Sequence, residues 1–238
     1  MFNDIKCITL DLDDTLWPIE PTIIKAEHKL YEWLQESYPQ VTEKYSIQDI
    51  AVRRTELSKH RLDIAHNVTA LRLAALQELA DEFALEETFA DEGLKLFRQY
   101  RNQVEPFEQS EAILNLLKTH YTVGAITNGN AQMEHIPLGR YFDFVVTAAE
   151  VGACKPAPEM FSQAAKHAEV NANQIVHIGD SAQTDVLGAL NAGCKAIWFN
   201  QKRLPWPGGQ TPHAVIHCLS ELPKLIGIEE KTVICEES

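Results

Sequence analysis

The sequence predicts an α/β fold: a doubly wound, mainly parallel sheet with an α-helical segment inserted near its start. Two observations predict it. After Pro106, short apolar runs alternate with stretches of helical periodicity, the rhythm of a parallel sheet covered by helices on both faces. Before it, from about residue 21 to 104, the apolar spacing is helical throughout and no stretch reads as a strand. Parallel sheets of this kind bind ligands at the carboxyl ends of their strands. A segment inserted directly after the first strand lies over that edge, placed to act as a lid.

The first strand covers about residues 6–10. In "PTIIKAEHKLYEWLQESY" the apolar residues Ile23, Ile24, Leu30, Trp33 and Leu34 recur at helical spacing. "SIQDIAVRRTELSKHR" opens on Ser46, a residue suited to cap a helix. "NVTALRLAALQELADEF" and "ETFADEGLKLFRQYRNQV" continue the helical block. The helix "SEAILNLLKTH" then precedes the strand "YTVGAIT", and a short helical segment leads to the strand "FDFVVTA". The helix "PEMFSQAAKHA" precedes the strand "QIVHIGD", and the helix "QTDVLGALNAG" precedes "KAIWFN", with Gly193 where a helix-ending glycine is expected. A Pro/Gly-rich loop, "LPWPGGQTP", leads to a last strand and helix in "AVIHCLSELPKLI". The acidic tail "EEKTVICEES" has no helical pattern and is expected to be mobile. There is no internal repeat and no low-complexity segment.

Composition sets the outer limits. The chain has 238 residues, 45% apolar and 23% charged, as expected of a soluble globular protein. Its net charge of −13 argues against a nucleic-acid partner, which needs a basic stripe. No run approaches the roughly 20 apolar residues that span a bilayer, and the N-terminal run has no basic leader, so neither a membrane nor a signal peptide is expected. Cys7, Cys154, Cys194, Cys218 and Cys235 are odd in number and widely spaced, which suits reduced thiols in the cytoplasm. His213 and His217 flank an extended stretch and have no partners at metal-ligand spacing. The chain is expected to work as a monomer or weak homodimer.

Chemistry concentrates at strand ends. Asp11, Asp13 and Asp14 close the first strand, and Asp11 and Asp13 face the same way along an extended chain. Two like charges on one face repel unless a cation lies between them. Thr15 follows at the next position on that face. The stretch "AITNGN" puts Thr127, Asn128 and Gly129 after another strand, a neutral cradle for phosphate oxygens. "ACKPAP" puts Lys155 before a helix, and "HIGDSAQTD" puts Asp180 at a strand end with Asp185 across a turn. Each of these alone has an ordinary account as a turn, a cap or a surface lysine. Together, each at its own strand end, they read as one site. His177 reads as a satisfied core histidine.

These residues resemble the four motifs of the haloacid dehalogenase-like hydrolase superfamily: Asp11-Leu12-Asp13-Asp14-Thr15, Thr127, Lys155, and Gly179-Asp180 through Asp185. The resemblance implies a Rossmann-like catalytic core over residues 1–18 and 106–238 and a helical cap over 19–105. "DLDDTLW", "AITNGNAQ" and "AHNVTALR" further resemble the subgroup that dephosphorylates flavin mononucleotide and 5-amino-6-(5-phospho-D-ribitylamino)uracil, an intermediate of riboflavin synthesis. The chemistry expected is hydrolysis of a small phosphate monoester. Asp11 is the nucleophile and forms an aspartyl phosphate. Asp13 is the general acid and base. Lys155 neutralises Asp11 and the phosphoryl group, with Thr127 and Asn128 holding phosphoryl oxygens. Mg²⁺ is held by Asp11 and Asp180, the main-chain carbonyl of Asp13 and the neighbourhood of Asp185. Asp14 is left with capping or loop hydrogen bonding. Substrate choice is expected in the cap, in "RLDIAHNVTALR", where His66 and Arg72 contact the leaving group; the competing account makes Asn67 a helix cap and Arg72 a solvated helix residue. Other readings of the same site are a phosphomutase, a sugar or nucleotide phosphatase, and a phosphate-ligand-binding regulatory protein. A dehalogenase would need no acid at Asp13, since halide leaves unprotonated.

Overall fold

The computed structural model describes residues 2 and 4–228. The tail 229–238, with Cys235, lies outside the described residues. Six strands form one parallel sheet: β1 (Cys7–Leu10), β2 (Thr122–Thr127), β3 (Phe144–Thr147), β4 (Ile175–Gly179), β5 (Lys195–Phe199) and β6 (Ala214–Ile216). Their order is β3-β2-β1-β4-β5-β6, and every neighbouring pair is parallel. The chain thus winds outward from β1 in one direction and then in the other. The crevice at this reversal, outside the carboxyl ends of β1 and β4, is where such sheets hold ligands.

The central strands are buried on both faces, which is why they read as unbroken apolar runs. Ile8 and Leu10 of β1 pack on one side with Leu114 and Leu117 of α6 (Ser110–Lys118). Cys7 packs on the other with Met160 and Phe161 of α8 (Pro158–His167).

Between β1 and β2 lie five helices: α1 (Ile19–Ser37), α2 (Pro39–Lys44), α3 (Ile47–His60), α4 (Val68–Phe83) and α5 (Phe89–Arg101). They have their own apolar core, built on Leu30, Leu34, Leu76, Leu79 and Phe89, separate from the two cores of the sheet. Trp33, Tyr38 and Phe89 interlock within it, with ring centroids 4.8–5.3 Å apart. Ser46 caps α3 in a reciprocal box with Asp49, as its position before the helix predicts.

Two expected helices are shorter than their patterns. The stretch before β3 holds two 3₁₀ turns, Met133–His135 and Pro137–Tyr141. The helix after β4 opens as a π-helical segment, Ala182–Leu187, before α9 (Gly188–Asn191). The short helices α7 (Ala148–Val151) and α10 (Leu222–Leu225) complete the set. Gly193 follows α9 with φ +81°, the left-handed conformation that suits glycine there. Among the described residues no helix is long and apolar enough to cross a membrane. Cys7, Cys154, Cys194 and Cys218 are free thiols.

Candidate active site

β1 lies between β2 and β4, with Leu10 opposite both Ala125 and Ile178. Asp11 leaves the strand at the reversal of strand order, its N–H donating to Ile178 O at 2.8 Å. Lys155, from the loop between α7 and α8, reaches it from the β2 side. Its Nζ stands 2.5 Å from Asp11 Oδ1 and 2.6 Å from Asp185 Oδ1. Asp185 comes from the π-helical segment, where the Val186 N–H donates to Ser181 O five residues back. That wider turn is common at functional sites. Gly179 makes room for it: a Cβ there would lie 2.3 Å from Asp185 Cγ.

Asp185 is tied down from two further sides. The Ser181 N–H donates to Oδ2 at 3.0 Å, and His177 Nε2 faces Oδ1 at 3.4 Å. His177 Nδ1 pairs with the Thr9 hydroxyl at 2.9 Å beneath the site, so this histidine is a satisfied core residue. Burial holds its imidazole below the usual range, against the pull of Asp185.

One ammonium therefore serves several buried carboxylates. Burial pushes the Asp11 carboxyl well above the usual range, against the pull of Lys155. Burial acts on Asp185 too, but there Lys155 and His177 outweigh it and hold the carboxyl well below its ordinary value. Lys155 gains correspondingly: both aspartates overcome its burial and raise it. Asp180 is pushed up to about 6 by burial and by the charges of Asp185 and Asp14. Carboxylate oxygens of Asp11, Asp180 and Asp185 all lie within 4.8 Å of one another. Three acids around one lysine leave negative charge uncompensated, and an all-oxygen donor set suits a hard divalent cation. The residues present fit such an ion.

The side chain of Asp13 is not part of this cluster. Trp17 Nε1 donates to its Oδ1 at 2.8 Å, and Arg101 Nη2 donates to Oδ1 and Oδ2 at 2.8 and 2.7 Å. Arg101 is the last residue of α5, so the inserted helices supply a cation to the second aspartate of the motif. Gly129 permits this approach, since a Cβ there would come within 2.5 Å of Asp13 Oδ2. Asp14 adopts φ +61°, which aspartate tolerates better than most residues, and its Oδ1 accepts the N–H of Ile19 at the start of α1. Thr15 Oγ1 accepts the Asp180 N–H at 3.1 Å, joining the first motif to the fourth.

The second motif behaves differently from expectation. Thr127 is buried, and its Oγ1 accepts the Gly129 N–H at 2.9 Å. The Asn128 side chain locks onto the backbone of Lys155: Oδ1 accepts its N–H at 2.7 Å and Nδ2 donates to its carbonyl at 3.0 Å. Both ends of the amide are engaged, so Asn128 positions Lys155 rather than offering its side chain to substrate.

The cap residues divide. His66 lines a cavity of about 410 Å³ together with Thr69, Arg98, Asn128, Gly129 and Asn130, where the helical segment meets the second motif. Arg72 does not line it. Its Nη2 lies 2.6 Å from Glu27 Oε1, its guanidinium stacks 3.3 Å from the Phe97 ring centroid, and it is buried. This corrects the expectation of a substrate contact: Arg72 is bound inside the helical core by a charge partner on α1. Asn67 caps α4, accepting the Ala70 N–H at 2.9 Å. A larger cavity, about 650 Å³, lies between α5 and His135 and is lined by none of the motif residues.

Sequence reasoning missed Arg101, Asn130 and Trp17. Asn130 stands in the quoted "AITNGN", two residues past Asn128. Arg101 sits in a basic last helical turn, a pattern already explained by the helix dipole.

Comparison with known proteins identifies the family. The profile of the haloacid dehalogenase-like hydrolases matches residues 5–193. The chain belongs to this family. A relative in Escherichia coli (strain K12), 5-amino-6-(5-phospho-D-ribitylamino)uracil phosphatase YigB, is 31% identical over 93% of this chain and 96% of its own length. The human N-acylneuraminate-9-phosphatase is 28% identical over 93% of this chain and 94% of its own. A crystal structure described as a 2-haloacid dehalogenase from Pseudomonas syringae pv. Tomato DC3000 superposes with a TM-score of 0.88 at 35% identity, covering 94% of this chain and 98% of that one. Within a family of hydrolases, the chain is an enzyme with the expected Rossmann-like α/β architecture.

Proposed function

We propose that this hydrolase is a Mg²⁺-dependent phosphatase of small phosphate monoesters that works through an aspartyl phosphate on Asp11, in the cytoplasm. The observation that carries the reading is the Asp11–Lys155 contact beside Asp180 and Asp185, with a second carboxylate, Asp13, two residues on. When bound, Mg²⁺ would supply the positive charge that lets an anionic nucleophile meet an anionic ester, held by Asp11, Asp180 and the main-chain carbonyl of Asp13, with Asp185 beside it. Lys155 neutralises Asp11 and a phosphoryl oxygen. Asp11 Oδ attacks phosphorus as the ester bond breaks. Asp13 gives its proton to the departing oxygen, then takes one from the water that cleaves the acyl phosphate. Thr127 and main-chain N–H groups of the first motif hold the phosphoryl oxygens. The leaving group lies in the cavity lined by His66.

The phosphatase relatives support a phosphorylated substrate; the relative in E. coli favours the ribitylaminouracil phosphate, and the motif resemblance adds flavin mononucleotide. The dehalogenase structure raises a second reading, cleavage of a carbon–halogen bond. Asp13 and the three-carboxylate cluster weigh against it, since neither a proton donor nor a dication is needed to expel halide. The test is a screen with Mg²⁺ over flavin mononucleotide, the ribitylaminouracil phosphate, sugar phosphates, nucleotides and 2-haloacids. Turnover of a monoester that stops on chelation supports the proposal. Halide release without phosphate release overturns it.

A further inference from the structure

The segment between β1 and β2 holds six arginines. Arg53, Arg54, Arg61, Arg72 and Arg101 each lie 2.6–3.6 Å from a carboxylate oxygen. Arg98 is the exception. Among the described residues its side chain has no ion pair and no hydrogen bond, in a chain whose net charge is −13. Its Nε is buried, so packing pins the stem of the side chain. The residue lines the cavity of about 650 Å³ beside α5, and its terminal nitrogens are the donors that a ligand there can meet.

Spacing on α5 builds one wall of that cavity. Asp91, Lys95, Arg98 and Asn102 follow one another by three or four residues and so form a row along one helix face. The other wall belongs to the sheet half of the molecule, where Gln132 and His135 follow β2. The two walls meet in a reciprocal pair: Asn102 Nδ2 donates to Gln132 Oε1 and the Gln132 N–H donates to Asn102 Oδ1, both at 3.0 Å. The side chains of Lys95 and His135 also have no partner among the described residues. Asp91 is the single acid in the lining, against two unpaired cations. A space of this size accommodates a small organic molecule, and a guanidinium fork matches a carboxylate or a phosphate. We propose that this cavity is a second binding site, apart from Asp11 and its neighbours, for a small organic anion whose carboxylate or phosphate pairs with Arg98 and Lys95, and that its occupation ties the inserted helices to the sheet. A ligand held by both walls stabilises the arrangement in which they face each other.

Citrate and methylenediphosphonate serve as probes, one bearing carboxylates and the other phosphonates. Each is titrated calorimetrically into the metal-free full chain at constant ionic strength, where Asp11, Asp180 and Asp185 repel anions from the catalytic cluster. At least one should bind saturably, with Kd in the millimolar range or tighter, and the preferred probe tells carboxylate from phosphate. Amide exchange should slow together over α5 and over residues 132–136. Arg98→Gln should weaken binding about tenfold or more, as expected for loss of a hydrogen bond to a charged group. Asp91→Asn should tighten it, and this change breaks no ion pair among the described residues. No saturable binding of either probe overturns the inference, and so does binding that neither substitution alters. Arg98 and Gln132 also line the His66 cavity. Protection confined to residues 11–17 or 66–69 would therefore place the anion in the site already described and overturn the inference as well.

Discussion

Lys155 Nζ touches two carboxylates that must behave differently, and the surroundings separate them. Asp185 receives His177 and a main-chain N–H as well as the ammonium, while Asp11 has Lys155 for its side chain and is left ready to react. Asp11→Asn should therefore abolish phosphoenzyme formation, read as loss of acid-stable radiolabel on the peptide around residue 11. Asp13→Asn should fold and lose on the order of 10²–10⁴-fold in kcat, with esters of better leaving groups affected less in the phosphorylation step. His66→Ala should raise KM for the best natural substrate more than for p-nitrophenyl phosphate, which asks little of a specificity pocket. Arg72→Ala belongs to a different class. It leaves the half-buried Glu27 with Arg54 at 3.6 Å as its remaining cation and removes the guanidinium from the Phe97 ring, so the cost should fall below the roughly 3–5 kcal/mol of a fully buried pair that loses one member. The expected outcome is a lowered Tm with KM little altered; a changed KM at full stability would return Arg72 to the substrate site.

At the scale of elements, the loops after β2 and β3 work as one piece because Asn128 clamps the peptide of Lys155 at both its N–H and its carbonyl. Asn128→Ala should release that loop and lower kcat by weakening the hold on Lys155, and Asn128→Asp, which cannot donate to the carbonyl, should restore less than half of the lost rate. The contrast between these loops and the strands shows what a sequence makes legible. Asp11, Thr127, Lys155 and Asp180 could be found because each follows an apolar strand, and a parallel sheet gathers strand ends at one edge. The helical insert could be found from periodicity. What could not be found were pairings between distant residues: Arg72 with Glu27 across two helices, Asn128 with Lys155 across two loops, Arg101 with Asp13 across the whole insert. Polar side chains in those places have the same local pattern whether they meet a partner, water or a substrate. The π-helical turn that aims Asp185 was hidden for a related reason, since one extra residue in a turn leaves the apolar spacing almost unchanged.

The molecule as a whole carries an acidic cluster short of positive charge, so a divalent cation held there should stabilise the fold. Mg²⁺ at a hundredfold excess over its Kd should raise Tm by several degrees, on the order of 5–10 °C, and chelation should reverse it. The pH dependence has a definite sign. Asp180 is raised from 3.8 to about 6 on folding, so the metal-free protein binds more protons than its unfolded chain between those values. Its stability from this group is complete below pH 4 and falls as pH rises through 6. Protons and metal compete for the same oxygens, so the Mg²⁺-induced rise in Tm should shrink below pH 6. A rise equal at pH 5 and pH 7.5 would show that Asp180 is not a ligand. The position of β1 has a consequence in time as well as in space. Cys7 pairs with Thr122 on one side and Ile175 on the other, so the strand that leads to Asp11 waits for half of the chain to be made before it has one neighbour and for most of it before it has both. The helices that follow it have local contacts and a core of their own, and such segments order faster than distant strand pairings. On a ribosome the helical insert should be structured while the site at the strand ends does not yet exist. In pulsed amide exchange during refolding, protection at Leu30 and Leu79 should precede protection at Ile8 and Leu10, and the enzyme should gain activity only with the later step.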